Sequence, residues 1–100
     1  MTISKTRSSF YRRLYLAHLV ARDIDSVPAI TEATGMPRRT AQDTLAALSE
    51  LDIDCVFEPT PGERHNVGQY VIHDWGPIDP DWLEEHAERL RKALGYPPLS

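Results

Sequence analysis

Cysteine is almost absent from this chain of 100 residues, since Cys55 is the only one. An internal disulfide is therefore excluded, and no cysteine pair is available for a zinc site. Cys55 alternates with Ile53 and Phe57 in the segment IDCVFE, which predicts a half-buried strand with the thiol on its inner face. A redox-sensing thiol is the alternative, but such cysteines usually lie exposed beside positive charge.

Patterns typical of metal sites and enzymes are also missing. The four histidines lie on four different elements without an HExxH motif, and the sequence contains no phosphate-binding glycine loop and no nucleophile elbow. His73 adjoins Asp74, but neighbours on a strand point to opposite faces, so this adjacency does not indicate a catalytic dyad. We therefore expect no enzymatic activity, no metal and no other cofactor.

Long apolar runs are lacking as well. The N-terminus MTISKTRSS is polar, and the longest apolar patch, LYLAHLVA, is interrupted by His18 and far too short to span a bilayer. We expect a cytoplasmic protein that makes no membrane contact. With 41% hydrophobic and 26% charged residues, the composition is that of one globular domain over residues 1–100.

Positive charge is scarce overall but concentrated in the first half of the chain. The net charge is −4; residues 1–42 hold seven Lys and Arg against three carboxylates, a balance of +4, whereas residues 43–100 hold four against twelve, a balance of −8. DNA-binding proteins gain much of their affinity by neutralising phosphates. The first half is therefore the candidate for such a contact, and charges that only solvate the surface are the alternative.

The stretch TEATGMPRRTAQDTLAALSELDI, residues 31–53, has the pattern of two short helices joined by a tight turn. Gly35 suits the end of a helix over 28–34, and Pro37 suits the first position of a second helix over 37–51. One face of this second helix is apolar and predicted to be core: Ala41, Thr44, Leu45, Leu48 and Leu51. The opposite face is polar and points outward: Arg39, Gln42, Asp43, Ala46 and Glu50.

Four further segments complete the predicted order of elements. A loose arm over 1–7 precedes a first helix over 8–24, which Ser8 or Ser9 can cap. The β-branched and aromatic runs 53–58 and 67–73 predict a hairpin over 53–73 with a polar tip. Asp79 and Pro80 predict the start of a last helix over 80–94, ending at Gly95, and residues 96–100 are expected to be a weakly ordered tail.

This order resembles that of the winged helix-turn-helix proteins, specifically a largely uncharacterised group of small bacterial members with one further C-terminal helix. The resemblance covers residues 8–74, and residues 31–53 are its most specific piece. It implies a mainly α (α+β) fold with a three-helix core, a two-stranded β-hairpin wing and an additional helix. It also implies a transcriptional regulator that binds double-stranded DNA with helix 37–51 in the major groove. A winged helix that binds only protein is the alternative.

The predicted DNA contacts follow from this resemblance. Arg39 and Gln42 point outward most squarely and are assigned to bases, whereas Arg38 is assigned to the backbone and Thr40 to phosphate or adenine. Asp43 can form an ion pair with Arg39, accept a hydrogen bond from the N4 amino group of cytosine, or repel phosphate. The wing tip would add Arg64, His65 and Asn66, and flanking phosphates would meet Lys5, Arg7 and Arg12.

The terminal helices are predicted to pair. Phe10, Leu14, Ala17, Ala21 and Ile24 form the main apolar stripe of the first helix, so Leu16 and Leu19 on its other side need a second cover. The last helix offers a broad apolar arc for it. The pairing occurs within one subunit or across the two-fold axis of a homodimer, for which the predicted interface residues are Leu16, Leu19, Trp82, His86 and Leu90. An effector pocket lined by Tyr11, Tyr15, Trp82 and His86 is the alternative to simple packing there.

Overall fold

The computed structural model describes residues 3–64 and 66–99. Within these residues it contains four α-helices and a two-stranded sheet, in the predicted order: α1 Lys5–Ala21, α2 Val27–Thr34, α3 Arg38–Ala46, β1 Asp54–Pro59, β2 Gly68–Asp74 and α4 Pro80–Leu94. The predicted fold class is confirmed. No helix in this described part is long and apolar enough to cross a membrane.

Helix α1 starts and ends three residues earlier than predicted. The hydroxyl of Ser4 accepts a hydrogen bond from the backbone N–H of Arg7 at 3.1 Å, so Ser4 caps the helix instead of Ser8 or Ser9. The prediction of a loose arm was wrong for residues 5–7, which are helical, and Met1 and Thr2 lie outside the described residues. At the other end Asp23 has a φ of 67°, which prevents the helix from reaching Ile24.

The helix-turn-helix segment follows the predicted pattern with one difference. Gly35 ends α2 in the left-handed conformation, as predicted, with a φ of 78°. Pro37 is the capping residue of α3 and not its first helical residue. The predicted helix 37–51 is α-helical only to Ala46, because its last part, Ala47–Leu51, tightens into a 3-10 helix that ends at left-handed Asp52.

Strands β1 and β2 form the antiparallel wing, each beginning and ending one residue later than predicted. Phe57 lies opposite Tyr70, and their rings meet edge to face with centroids 5.2 Å apart. The N–H of Tyr70 also donates to the carbonyl of Asp25 at 2.8 Å, which ties the wing to the segment between α1 and α2.

Helix α1 is the centre of the core. Every residue from Leu14 to Val20 is buried, whereas Phe10 and Ala21 of the predicted apolar stripe are exposed. Helix α4 packs on α1 within the same chain, where Tyr15 and His18 of α1 line one cavity with Ala87 of α4. Leu16, Leu19 and Leu90 were predicted for a dimer interface; each has 0% exposure, so the structure places them in the core of one subunit.

The segment after α4 folds back on the domain. The guanidinium of Arg91 donates to the carbonyl of Tyr96 at 2.7 Å, and the Tyr96 ring lies 5.8 Å from that of buried Tyr15. Leu99 packs against the core. The prediction of a weakly ordered tail was therefore wrong for residues 96–99, because Tyr96 and Leu99 find apolar surface to cover.

Candidate nucleic-acid interface

Helix α3 presents a polar face to solvent over its whole length. Its inner side is anchored by buried Ala41, Thr44 and Leu45, and Leu48 anchors the 3-10 helix that follows. The Thr44 hydroxyl donates a hydrogen bond to the carbonyl of Thr40 at 2.7 Å, so this buried hydroxyl has its partner within the helix. Thr40 is half-buried, whereas the other predicted contact residues of this helix are exposed: Arg38, Arg39, Gln42 and Asp43. The predicted division of this helix into a core face and a free face is confirmed.

Asp43 pairs with Arg39, which was one of the three roles considered for it. The Arg39 Nε lies 3.5 Å from the Asp43 Oδ2, and the two side chains are 86% and 70% exposed. A pair this exposed is worth only about 0–1 kcal/mol because water and salt screen it. The guanidinium can therefore exchange this carboxylate for another acceptor at little cost.

Helices α1 and α3 form a cleft beside this free face. Arg12 and Arg13 line it from α1, together with Thr40 and Asp43 from α3. Arg12 was predicted as a phosphate contact, but Arg13 was not assigned. The adjacent pair of arginines was a usable signal, because consecutive side chains diverge by only 100° around a helix and both can line one cleft.

The wing tip is shaped by backbone hydrogen bonds. The N–H of Val67 donates to the carbonyl of Arg64 at 2.9 Å, and the N–H of Thr60 donates to the carbonyl of Val67 at 2.8 Å. Arg64 and Asn66 are exposed at this tip, as predicted, and predicted His65 lies outside the described residues. The tip also carries exposed Glu63, which limits its positive charge.

Lys5 and Arg7 are not brought to the cleft beside α3. They line a separate groove between the start of α1 and helix α4, where Trp82 and Arg89 form the other wall. The candidate DNA surface therefore combines α3 with Arg12 and Arg13, and a contact of Lys5 or Arg7 with flanking phosphates stays a prediction.

The histidines make separate local contacts. His73 Nε2 lies 2.8 Å from Glu58 Oε2 across the wing, whereas adjacent Asp74 accepts from the N–H of Gly76. His86 stacks on Trp82 with ring centroids 4.1 Å apart. His18 is buried; desolvation and then nearby Arg22 lower its pKa, although Glu84 opposes them. Across residues 3–64 and 66–99, no three His, Cys, Asp or Glu side chains gather to hold a metal ion.

Two smaller expectations have different outcomes. Cys55 is half-buried, and desolvation followed by the neighbouring Asp54 charge raises its pKa to about 11, which favours the structural role over a reactive thiol. On α4, Glu85 precedes Arg89 and Glu88 precedes Lys92 by four residues, a spacing that favours ion pairs on a helix. The structure instead pairs Glu88 with Arg91 at 2.8 Å, while the same guanidinium also donates to the carbonyl of Tyr96, and Arg89 lies over Trp82.

These elements define a class of domain. A helix-turn-helix whose second helix keeps a free polar face, followed directly by a β-hairpin, is a winged helix-turn-helix. Residues 5–94 match the family model described as winged helix-turn helix, and the chain belongs to this family. The resemblance seen in the sequence is thereby confirmed.

A solved structure agrees with this assignment. The chain is 41% identical to a DUF2131 family protein from the bacterium Shewanella amazonensis SB2B, whose crystal structure was determined at 2.50 Å resolution. The TM-score is 0.84, and the match covers 95% of this chain and 91% of that one. The sequence matches no protein of curated function.

Proposed function

We propose that the protein is a bacterial transcriptional regulator that binds double-stranded DNA, without enzymatic activity, in the cytoplasm where the DNA lies. The observation that carries this proposal is the free face of α3. Arg38, Arg39 and Gln42 are exposed there, while the opposite side of the same helix is anchored in the core. A helix held this way can enter the major groove without rearranging the domain.

Each side chain of the surface suits one part of the duplex. Arg39 can bond guanine O6 and N7 with two N–H groups, and Gln42 can bond adenine in the same bidentate manner. Arg38 and Thr40 suit phosphates at the edge of the groove. Arg12 and Arg13 add charge on the side where α1 borders α3, and Asp43 would be released from Arg39 when the arginine binds a base. At the wing tip, Arg64, His65 and Asn66 would reach the adjacent backbone.

We also propose that two copies bind one operator as a homodimer. One α3 helix reads only half of a two-fold site, and two half-sites about one helical turn apart need two copies. The contact between copies would use accessible residues of the terminal helices, such as His86, because Leu16, Leu19 and Leu90 are buried inside each subunit. Light scattering after size exclusion, with and without operator DNA, measures the mass directly; one copy per operator contradicts the dimer.

Selection of bound fragments from bacterial genomic DNA tests the main proposal. The purified protein is incubated with sheared DNA at fixed, near-physiological salt, and the retained fragments are sequenced. The test variant is Arg38→Ala/Arg39→Ala. The control variant Arg22→Ala/Lys92→Ala removes the same charge from exposed positions away from α3. We expect a recurrent two-fold site that the control retains and the test variant loses.

The outcomes separate this proposal from a winged helix that binds only protein. The outer side of α4, where Glu84, Glu85 and Glu88 are exposed, favours that second function because it would repel DNA and suits a basic protein partner. If the folded protein enriches no sequence, or if both variants lose binding equally, the DNA-binding proposal is refuted and the protein-binding function is preferred.

A further inference from the structure

A groove of about 1030 Å³ runs between the start of α1 and helix α4, and its charge contrasts with that of the whole protein. Four cations line it: Lys5, Arg7, Arg13 and Arg89. None of the ten described lining residues is acidic, although the chain carries a net charge of −4. The ion pairs formed by the described residues involve none of these four cations. The groove is therefore a concentrated and uncompensated positive surface.

The same groove carries the most exposed aromatic side chains of the helices. Phe10 is 41% exposed and Trp82 is 38% exposed, and Tyr11 lies beside Phe10 with ring centroids 6.4 Å apart. The guanidinium of Arg89 lies 5.7 Å from the centre of the Trp82 ring, so a cation and an aromatic surface adjoin directly. Exposed aromatic residues grouped in a concave surface commonly mark a binding site.

We propose that this groove binds a small organic anion with an aromatic or similarly flat apolar body. A bare phosphate would use the cations and leave Phe10 and Trp82 uncovered, whereas a neutral apolar molecule would leave the cations unpaired. A ligand with a carboxylate or other anionic head on an apolar body satisfies both halves of the lining. The groove volume of about 1030 Å³ slightly exceeds the range typical of small-molecule sites, about 300–1000 Å³, so the groove has room for such a ligand.

The position of Arg13 suggests a consequence for DNA binding that rests on the proposed function. Arg13 and Ser9 line both this groove and the cleft between α1 and α3. An anionic head that draws the guanidinium of Arg13 toward α4 removes positive charge from the side of the recognition helix. The ligand would then weaken DNA binding, and by linkage DNA would weaken ligand binding by the same factor.

The two tryptophans provide an internal control for the binding test. Trp82 lines the groove, whereas Trp75 packs against the core and is not among the lining residues. We would titrate the DNA-free protein with 2-naphthoate and follow the two indole N–H signals by NMR. The control titrations use 2-naphthamide, which has the same body without charge, and acetate, which has the head alone. We expect a saturable shift of the Trp82 signal with 2-naphthoate, and responses at least about tenfold weaker to both controls.

A pair of variants tests the cations. Arg13→Gln/Arg89→Gln should weaken 2-naphthoate binding at least about tenfold. Arg22→Gln/Lys92→Gln, which loses the same charge elsewhere, should bind as the natural protein does. A fluorescence-based DNA titration with and without 2-naphthoate then measures how far the ligand changes the affinity for DNA. If 2-naphthoate binds by NMR but leaves the DNA affinity unchanged, only the proposed link to DNA binding is refuted.

Three results would overturn the binding proposal itself. The first is no saturable Trp82 shift with probe at about 1 mM. The second is an equal response to 2-naphthamide, which would show that charge plays no part. The third is a Trp82 signal that changes with protein concentration alone, while light scattering shows the mass doubling and the response to 2-naphthoate disappears, because a second copy would then occupy the groove. Since these measurements use no DNA, they do not depend on the proposed function.

Discussion

Leu16 tests whether a residue predicted for the dimer interface instead belongs to the core of one subunit. Its side chain has 0% exposure, and every residue from Leu14 to Val20 is buried with it. Leu16→Ala removes three buried carbons and leaves a cavity, which costs about 2–5 kcal/mol in well-packed cores. A domain of this size loses about 4–8 °C of Tm per kcal/mol, so we expect a drop of roughly 8–40 °C.

Leu16→Glu should be more severe, because a carboxylate in this position must be buried without a partner. Added to the lost apolar burial, that penalty approaches the whole stability of a typical domain, about 5–15 kcal/mol, so we expect a largely unfolded chain. Ala21→Glu is the matched control, since it places the same charge at an exposed position of the same helix.

Circular dichroism during urea unfolding measures these effects at several protein concentrations. The expected result is a large loss in free energy of unfolding for Leu16→Ala that does not depend on concentration, with Ala21→Glu within about 0.5 kcal/mol of the natural protein. A folded Leu16→Glu protein that only changes from dimer to monomer would refute the core position of this residue and restore the predicted dimer interface.

Three further predictions concern single groups. Asp43→Asn should raise DNA affinity roughly fivefold, because about 1 kcal/mol of repulsion between the carboxylate and phosphate disappears and Arg39 loses its ion-pair partner. Fluorescence anisotropy measures the Kd, and an unchanged value would contradict this prediction. Burial lowers the pKa of His18 below its unfolded value of about 6.5, so the unfolded chain binds the proton more readily than the folded chain does. The free energy of unfolding should therefore fall as the pH is lowered from 7 to 5.5. His18→Gln should lose this dependence and His73→Gln should keep it, as urea unfolding at each pH will show. With its pKa raised to about 11, Cys55 should react with iodoacetamide at pH 7.5 at least about tenfold more slowly in the folded than in the unfolded chain, and equal rates by mass spectrometry would show an accessible thiol.

Local signals predicted most of the fold because each depends on few neighbouring residues. Gly35 and Gly95 end α2 and α4 in the left-handed conformation, and Pro80 starts α4 with Asp79 as its cap. The start of α1 was missed because three serines stand near it, and a capping hydroxyl alone does not select among them. The 3-10 helix at the end of the recognition helix was missed because apolar spacing scarcely distinguishes it from a continued α-helix.

The candidate site was predicted unevenly for a similar reason. A helical wheel separates the outward Arg39 and Gln42 from the buried Ala41 and Leu45, since both sets lie on one element. It does not show which residues of another helix border that surface. Arg13 was therefore left unassigned, although it lines both the cleft beside α3 and the groove beside α4.

The sequence by itself determined the type and order of the elements and the two faces of α3, because backbone preferences and helical periodicity act over one or two turns. Only the tertiary structure decided where α4 packs. Leu16 and Leu90 are both fully buried although they lie far apart in the chain, and the apolar pattern is the same whether α4 comes from the same subunit or another. The contact of Tyr96 with Tyr15, and the groove that Arg89 forms with the start of α1, likewise depend on where segments distant in the chain meet.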